Sequence, residues 1–293
     1  MGIFFGLAAS FGWGMGDFLV RGATRRVGSF VSLLYMQGFG LLCIMLVVLA
    51  RGDLAILPAA AASGALWLMI PAAVISVCST LLLYRSLAIG MLSIVSPIVS
   101  SYAAVTLVLS LLTGERLTPL RLIGALVALA GVVLASIEHR THGEPHAWRH
   151  GWRLPVGVPQ ALGCALLYGI AFWLQGFYVI PYAGPAVTVL GNRLISLAIL
   201  VCVMLLSRRS ARLPDARTAW VLFGVGVLDT LAFIASSAGA ATDQVSIVTV
   251  LSSMFSAWTV LLAWIVLRER PHRLQWAGIA LILCGVVLVS LGA

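Results

Sequence analysis

The chain writes one stretch of itself twice, and this duplication constrains the fold more than any other feature. The first copy begins Ser93-Ile94-Val95-Ser96-Pro97, passes Gly114-Glu115-Arg116 and reaches Gly131-Val132-Val133-Leu134. The same order returns as Ser246-Ile247-Val248-Thr249, Arg268-Glu269-Arg270 and Gly285-Val286-Val287-Leu288. Between these blocks Ser100 answers Ser253, Tyr102 answers Phe255, Thr106 answers Thr259 and Gly124 answers Gly278, with one single-residue slip between Thr106 and Glu115. Chance does not keep such an order over more than forty positions, so the stretch is a tandem duplication. Each copy is an apolar run, a Glu-Arg turn and a second apolar run, which reads as a helical hairpin of the membrane kind.

Composition places the hairpins in a bilayer. The 293 residues are 61% hydrophobic and 9% charged, with a mean hydropathy of +1.10, whereas a soluble domain carries about 25% charged residues. Runs of about 20 apolar residues match roughly 30 Å of hydrocarbon, and the length selects helices over barrel strands. Ten helices are predicted, at roughly 2–22, 30–50, 65–88, 92–113, 119–137, 157–179, 185–206, 218–241, 245–267 and 273–291. The polar segment 139–156 reads as a linker between one unit at 1–138 and a second at 157–293. The duplication extends into both: Leu7, Trp13 and Gly14 match Leu162, Tyr168 and Gly169, and Gly28 and Val31 match Gly184 and Val187. That register sets Gln37 opposite Arg193. Each unit holds five helices, and because five is odd the second unit crosses the membrane upside down. The expected fold is therefore an all-α membrane protein of two inverted five-helix repeats, an arrangement that places a transported solute near mid-membrane.

The net charge of +9 comes from 18 basic residues, all of them Arg. Most lie in short loops, which reads as a topology signal rather than a nucleic-acid surface. Loops after the first, fifth, seventh and ninth helices hold thirteen Arg residues, against Arg51, Arg116 and Arg121 on the other side. The richer side is expected in the cytoplasm, with both termini outside and Glu115 and Glu269 facing opposite compartments. The first apolar run has no charged segment before it and reads as a helix rather than a cleaved signal. Cys43, Cys78, Cys164, Cys202 and Cys284 are scattered through apolar runs and read as free thiols without metal-ligand spacing. The linker histidines His139, His142, His146 and His150 are expected to be exposed, and no metal or cofactor is expected.

With Trp13-Gly14, Pro97, Gly114-Glu115-Arg116-Leu117, Gly124, Gly131-Val132-Val133-Leu134 and Arg193 in hand, the chain resembles the drug/metabolite transporter superfamily, in particular its ten-helix EamA-type members. The resemblance covers nearly the whole chain. It implies a multi-pass transporter of the bacterial inner membrane that exports small metabolites; aromatic amino-acid exporters share this size and helix count. Val250 in place of Pro97, and Gln37 opposite Arg193, depart from strict symmetry between the halves.

Charges inside spans cost about 2.5–3.5 kcal/mol each unless paired or facing water, so Asp17, Arg85, Arg193 and Asp229 each need a reason. Arg193 and Asp229 read as a structural pair or a functional one. Asp17 either pairs with Arg21 or faces the substrate, and Arg85 snorkels from the last turn of its helix. Ser93, Ser96 and Ser100 form a stripe on one helix face, repeated as Ser246, Thr249 and Ser253. These hydroxyls either bond their own helix carbonyls or line a cavity. Trp13, Tyr84, Tyr102, Tyr168, Phe172 and Trp173 lie within spans and are expected either to pack or to line that cavity with Asp17 and Asp229. Pro71 and Pro97 are the candidate hinges.

The expected function is secondary export of amino acids with apolar or aromatic side chains by alternating access, the helices at 119–137 and 273–291 supporting from outside. No nucleotide-binding loop is present, so no ATPase subunit is implied and the drive is a gradient, of substrate or of protons through Asp17 or Asp229. Another cargo remains open, a drug-like cation or a sugar or nucleotide derivative, as does a passive facilitator or channel. No Gly-x-Ser-x-Gly or His-Glu-x-x-His pattern occurs, and an enzyme is not expected.

Overall fold

The computed structural model describes residues 1–90, 92–135, 156–207, 214–242, 244–267 and 273–292. Apart from Val156, the predicted linker lies outside these residues, as do its histidines and Glu269.

The first half holds α1 (Gly2–Val27), α2 (Ser29–Arg51), a 3-10 turn and short α3 (Leu57–Ala62), then α4 (Ala65–Ile89), α5 (Leu92–Ser100), α6 (Tyr102–Leu112) and α7 (Pro119–Ala135). The second holds α8 (Val158–Leu174), a π-helical turn at Gln175–Val179, α9 (Ile180–Leu206), α10 (Ala216–Thr242), α11 (Val245–Ser252), α12 (Phe255–Leu267) and α13 (Arg273–Leu291). Among the described residues, seven helical stretches are long and apolar enough to cross a bilayer, and one of them, Val158–Leu206, is 49 residues long and holds two crossings. The shorter apolar runs of α7 and α13 complete a ten-passage membrane protein of two inverted repeats.

Two features differ from the apolar pattern. The seventh passage does not start at a loop: the backbone runs on from α8 through the π turn and changes direction at Gly184, just before Pro185. Gly184 has φ 71° and ψ 164°, and its repeat mate Gly28, between α1 and α2, has φ 86° and ψ 159°. Side chains disfavour this positive-φ corner, so a matched glycine turns the chain at the same place in each half.

The second difference is that the fourth and ninth passages are broken helices. The breaks fall at Ser101 and at Ser253–Met254, positions the duplication aligns. Pro97 is not their cause, because its mate is Val250 and the break forms anyway. Hydroxyls compete for the helix carbonyls instead: Ser100 donates to the carbonyl of Ser96 (3.0 Å), Ser101 to Ile98 (2.6 Å) and Ser253 to Val250 (2.7 Å). Pro71 sits inside an unbroken α4.

The halves interlock through close backbone contacts. The methylene of Gly14 lies against α12, where a Cβ would stand 2.8 Å from the Phe255 carbonyl; at its mate Gly169 a Cβ would stand 2.8 Å from the Tyr102 carbonyl. Thr259 Oγ1 donates to Gly14 O (3.4 Å) and Thr106 Oγ1 to Gly169 O (3.0 Å), again as mates. Helix α7 crosses α13 by the same device. A Cβ on Gly124 would lie 2.9 Å from Gly285 O, and one on Gly131 would lie 2.8 Å from Gly278 O.

At one end, the turn after α6 is clamped onto α11. The Glu115 carboxylate accepts the Ser246 N–H at 3.3 and 3.4 Å, at the electropositive start of that helix. Arg121 Nη1 donates to Gln244 Oε1 (2.6 Å), and Gln244 Nε2 donates to the Arg116 carbonyl (2.6 Å). Burial pushes the Glu115 carboxyl above its ordinary value of 4.5, against the lowering effect of the hydrogen bonds from Ser246.

Two outcomes follow from this packing. Gly285→Leu places a side chain against backbone, a Cβ lying 2.6 Å from Ala128 N, and is expected to cost about 1–3 kcal/mol or more. The detergent-solubilised variant should melt below wild type, while Gly38→Ala, with nothing within 4 Å of the added methyl, should not. For Glu115, the raised value means the folded state holds the proton more tightly than the unfolded state. Its contribution is therefore fully present below about pH 4.5 and is lost as pH rises through the raised folded value. Glu115→Gln should accordingly gain in melting temperature relative to wild type as pH rises from about 4.5 to neutrality. A gap that stays constant or shrinks would count against this account.

Candidate functional site

Helical spacing puts single faces of several helices around one cavity. Trp13 and Asp17 come from α1, Ser76, Thr80 and Tyr84 from α4, Tyr168 and Phe172 from α8, and Val225, Asp229 and Phe233 from α10, each set at i, i+4 intervals. Met36 and Gln37 join from α2, Asn192 and Arg193 from α9, and Tyr102 and Phe255 from the positions just after the two helix breaks. The cavity they line measures about 50 Å³. Among the described residues, α7 and α13 contribute no wall residue, while α2 and α9 do.

One side is polar and built on Arg193. Its Nη2 donates to Asp229 Oδ2, and its Nη1 donates to Gln37 Oε1 (2.6 Å) and Met36 Sδ (3.2 Å). The guanidinium carbon stands 5.9 Å from the centre of the Phe233 ring. Gly40 leaves it room, since a Cβ there would lie 3.1 Å from Arg193 Nε. Gln37 and Arg193 are repeat mates, so they meet across the axis that relates the halves. Two Arg residues could not share that spot without strong repulsion, which accounts for the lost symmetry at this position.

The aromatic residues form a connected stack. Phe172 packs on Tyr102 at 5.0 Å and on Phe233 at 5.8 Å, and Trp13 meets Phe172 edge-on at 5.5 Å and Phe233 at 5.9 Å. Tyr102 also stacks on its own mate Phe255 at 6.3 Å. Each such pair contributes about 0.5–1.5 kcal/mol beyond area burial, so the wall is both apolar and held in place. Asp17 is 8% exposed and, among the described residues, has no hydrogen bond or ion pair; Arg21, one turn on, is partnered elsewhere.

A second polar group spans α4, α8, the π turn and α9. Asn192 Nδ2 and Gln175 Nε2 both donate to Ser76 Oγ, at 3.2 and 3.3 Å, and Ser196 Oγ donates to Asn192 Oδ1 at 3.3 Å. Thr80 Oγ1 lies 2.8 Å from the Tyr168 hydroxyl.

Of the residues singled out in the sequence, Trp13, Asp17, Tyr84, Tyr102, Tyr168, Phe172 and Asp229 meet in the cavity, and Arg193 joins them. The hydroxyl stripes do not reach its wall. Ser100 and Ser253 bond their own helices at the breaks, Thr249 Oγ1 donates to Val245 O (2.7 Å), Ser96 is fully buried elsewhere, and Ser246 sits at the Glu115 clamp. The Ser93 side chain lies outside the described ones. Trp173 points away and donates from Nε1 to Thr113 Oγ1 (2.7 Å). Arg85 is exposed. Sequence reasoning passed over Ser76, Thr80, Asn192 and Phe233. The amides Gln37, Gln175 and Asn192 inside apolar runs were the available signal, since an amide there needs partners as a charge does.

No curated protein matches the chain. Solved structures do, among them a crystal structure of a protein that is 20% identical over 99% of this chain and 96% of its own, with a TM-score of 0.73; at that identity the likeness shows the fold alone. The EamA-like transporter family matches residues 1–137 and 155–291, both halves of the inverted repeat, and this chain belongs to that family.

Proposed function

We propose that this transporter exports small amphipathic metabolites, foremost amino acids with apolar or aromatic side chains, by alternating access across the bacterial inner membrane. The reading rests on one combination in the cavity: an aromatic wall, an acid without a cation partner, and a guanidinium whose charge is already met by the protein. Trp13, Phe172 and Phe233 offer broad apolar contact, and Asp17 offers a counter-charge to an ammonium group. Arg193 is held by Asp229 and Gln37, so a sugar phosphate or nucleotide sugar meets no cluster of unpaired cations among the lining residues. The same acid and rings favour a second cargo, a drug-like cation, through charge pairing and cation–π attraction.

Of the two acids in the wall, Asp17 alone lacks a cation partner among the described residues, and it is the residue we assign to proton coupling. In proteoliposomes, uptake of labelled phenylalanine should saturate, accelerate under a pH gradient and exchange against unlabelled substrate on the far side. Flux that neither saturates nor exchanges would mark a passive channel, and no competition by any amino acid would sink the substrate class. Asp17→Asn should make uptake indifferent to the gradient while counterflow persists; a retained gradient response removes that role from Asp17. Asp229→Asn instead strips Arg193 of its buried partner, a loss of about 3–5 kcal/mol, and should register first as a lower melting temperature.

The excess of Arg in the loops after α1, α7, α9 and α12 supports a cytoplasmic face there and external termini. Membrane-impermeant labels placed at either terminus should react in intact cells; labelling only after permeabilisation would reverse the orientation.

A further inference from the structure

The Ser76–Asn192 group has a hydrogen-bond account that does not close within the protein. Ser76 Oγ accepts two N–H donors, from Asn192 and Gln175, which occupies both of its lone pairs. Its own hydrogen therefore has to be given away, and among the described residues no acceptor takes it. Its neighbours behave differently: Ser79 donates to Ile75 O (2.7 Å) and Thr80 to Ser76 O (2.8 Å), each satisfied along α4. Asn192 accepts from Ser196 at Oδ1 and uses one amide hydrogen on Ser76, so its second N–H is also unspent among the described residues. Ser76 is 4% and Asn192 8% exposed, both face the cavity, and they stand 3.2 Å apart. Two adjacent buried donors without acceptors are costly unless something in the cavity receives them.

We infer that Ser76 and Asn192 form a subsite for the carboxylate of the transported amino acid, separate from Arg193. A carboxylate presents two acceptor oxygens to the two donors. The subsite lies on α4 and α9, whereas Asp17 lies on α1, so the two charged ends of a zwitterion are received by different walls, with the aromatic stack left for the side chain. The π turn at Gln175–Val179 has a role in this: it carries Gln175 onto Ser76, where the amide fills the second lone pair of the hydroxyl. Arg193, committed to Asp229 and Gln37, is not required to receive the substrate.

The inference rests on the amino-acid reading above, and three related probes separate the two. Equilibrium binding to the purified full-length protein is measured with phenylalanine, with phenethylamine, which lacks the carboxylate, and with 3-phenylpropionate, which lacks the ammonium. Wild type should bind phenylalanine about tenfold or more tightly than phenethylamine, the scale of a hydrogen-bonded charged group. Ser76→Ala and Asn192→Leu should each shrink that ratio while phenethylamine affinity holds within about twofold. Asn192→Asp, nearly the same shape but anionic, should reverse the preference in favour of the amine. Equal binding of phenylalanine and phenethylamine by wild type overturns the subsite and leaves the amino-acid reading standing. So does a ratio unchanged by all three variants, or a parallel loss of both ligands in them. If none of the three compounds binds wild type, the amino-acid reading falls and the subsite falls with it.

Discussion

The structure depends on a reciprocal contact: Gly14 against the Phe255 turn with Thr259 donating to its carbonyl, and Gly169 against the Tyr102 turn with Thr106 donating to its own. Each bond joins the opening helix of one half to the broken helix of the other. Neither half can therefore pack its first helix alone. The absence of side chains at Gly14 and Gly169 brings backbones together, and the threonine hydroxyls meet carbonyls that apolar surroundings leave few other partners. Trp13 and Asp17 in one half, and Tyr168 and Phe172 in the other, take their places around the cavity as a result.

A twofold relation has a further consequence, because positions near the axis meet their own mates. Tyr102 stacks on Phe255 and Gln37 bonds Arg193, each with its own mate, while Gly124 and Gly131 each face the mate of the other, Gly285 and Gly278. Rings tolerate self-pairing; like charges do not. The ancestral symmetry is therefore kept where the contact is apolar and abandoned where one side is a guanidinium. Asp229 then neutralises that single Arg, so the cavity acquires its polarity from the break in symmetry.

Much of this was legible in the sequence. The duplication yields the helix count and inversion, whereas which faces meet was open until the structure brought Trp13 with Asp17 and Tyr168 with Phe172 to one cavity wall. The hydroxyl stripes were ambiguous for a physical reason: a serine in a helix always has a carbonyl one turn back, and Ser100, Thr249 and Ser253 take it. Ser76 makes no such bond and instead receives two amides, one from the π turn and one from α9, and no local pattern announces such a tertiary meeting. The breaks were hidden likewise, since Pro97 drew attention from the serines that both copies share.

The position of those breaks bears on how alternating access would work here. Tyr102 and Phe255 are the first residues beyond them, and they are also the mates stacked at the cavity. Bending at Ser101 or at Ser253–Met254 moves one ring relative to the other with little strain, because each break already runs on i to i+3 bonds, Ser101 N to Ile98 O and Met254 N to Leu251 O. On the side of α11 the outer segment is tied down by Glu115, Gln244 and Arg121. On the alternating-access proposal, a broken helix with one end clamped and its break beside the cavity acts as a lever, and α5 and α6 form a second broken helix with its break at the matching place. What distinguishes the two levers is then the asymmetric floor of Gln37, Arg193 and Asp229, against which either ring must close.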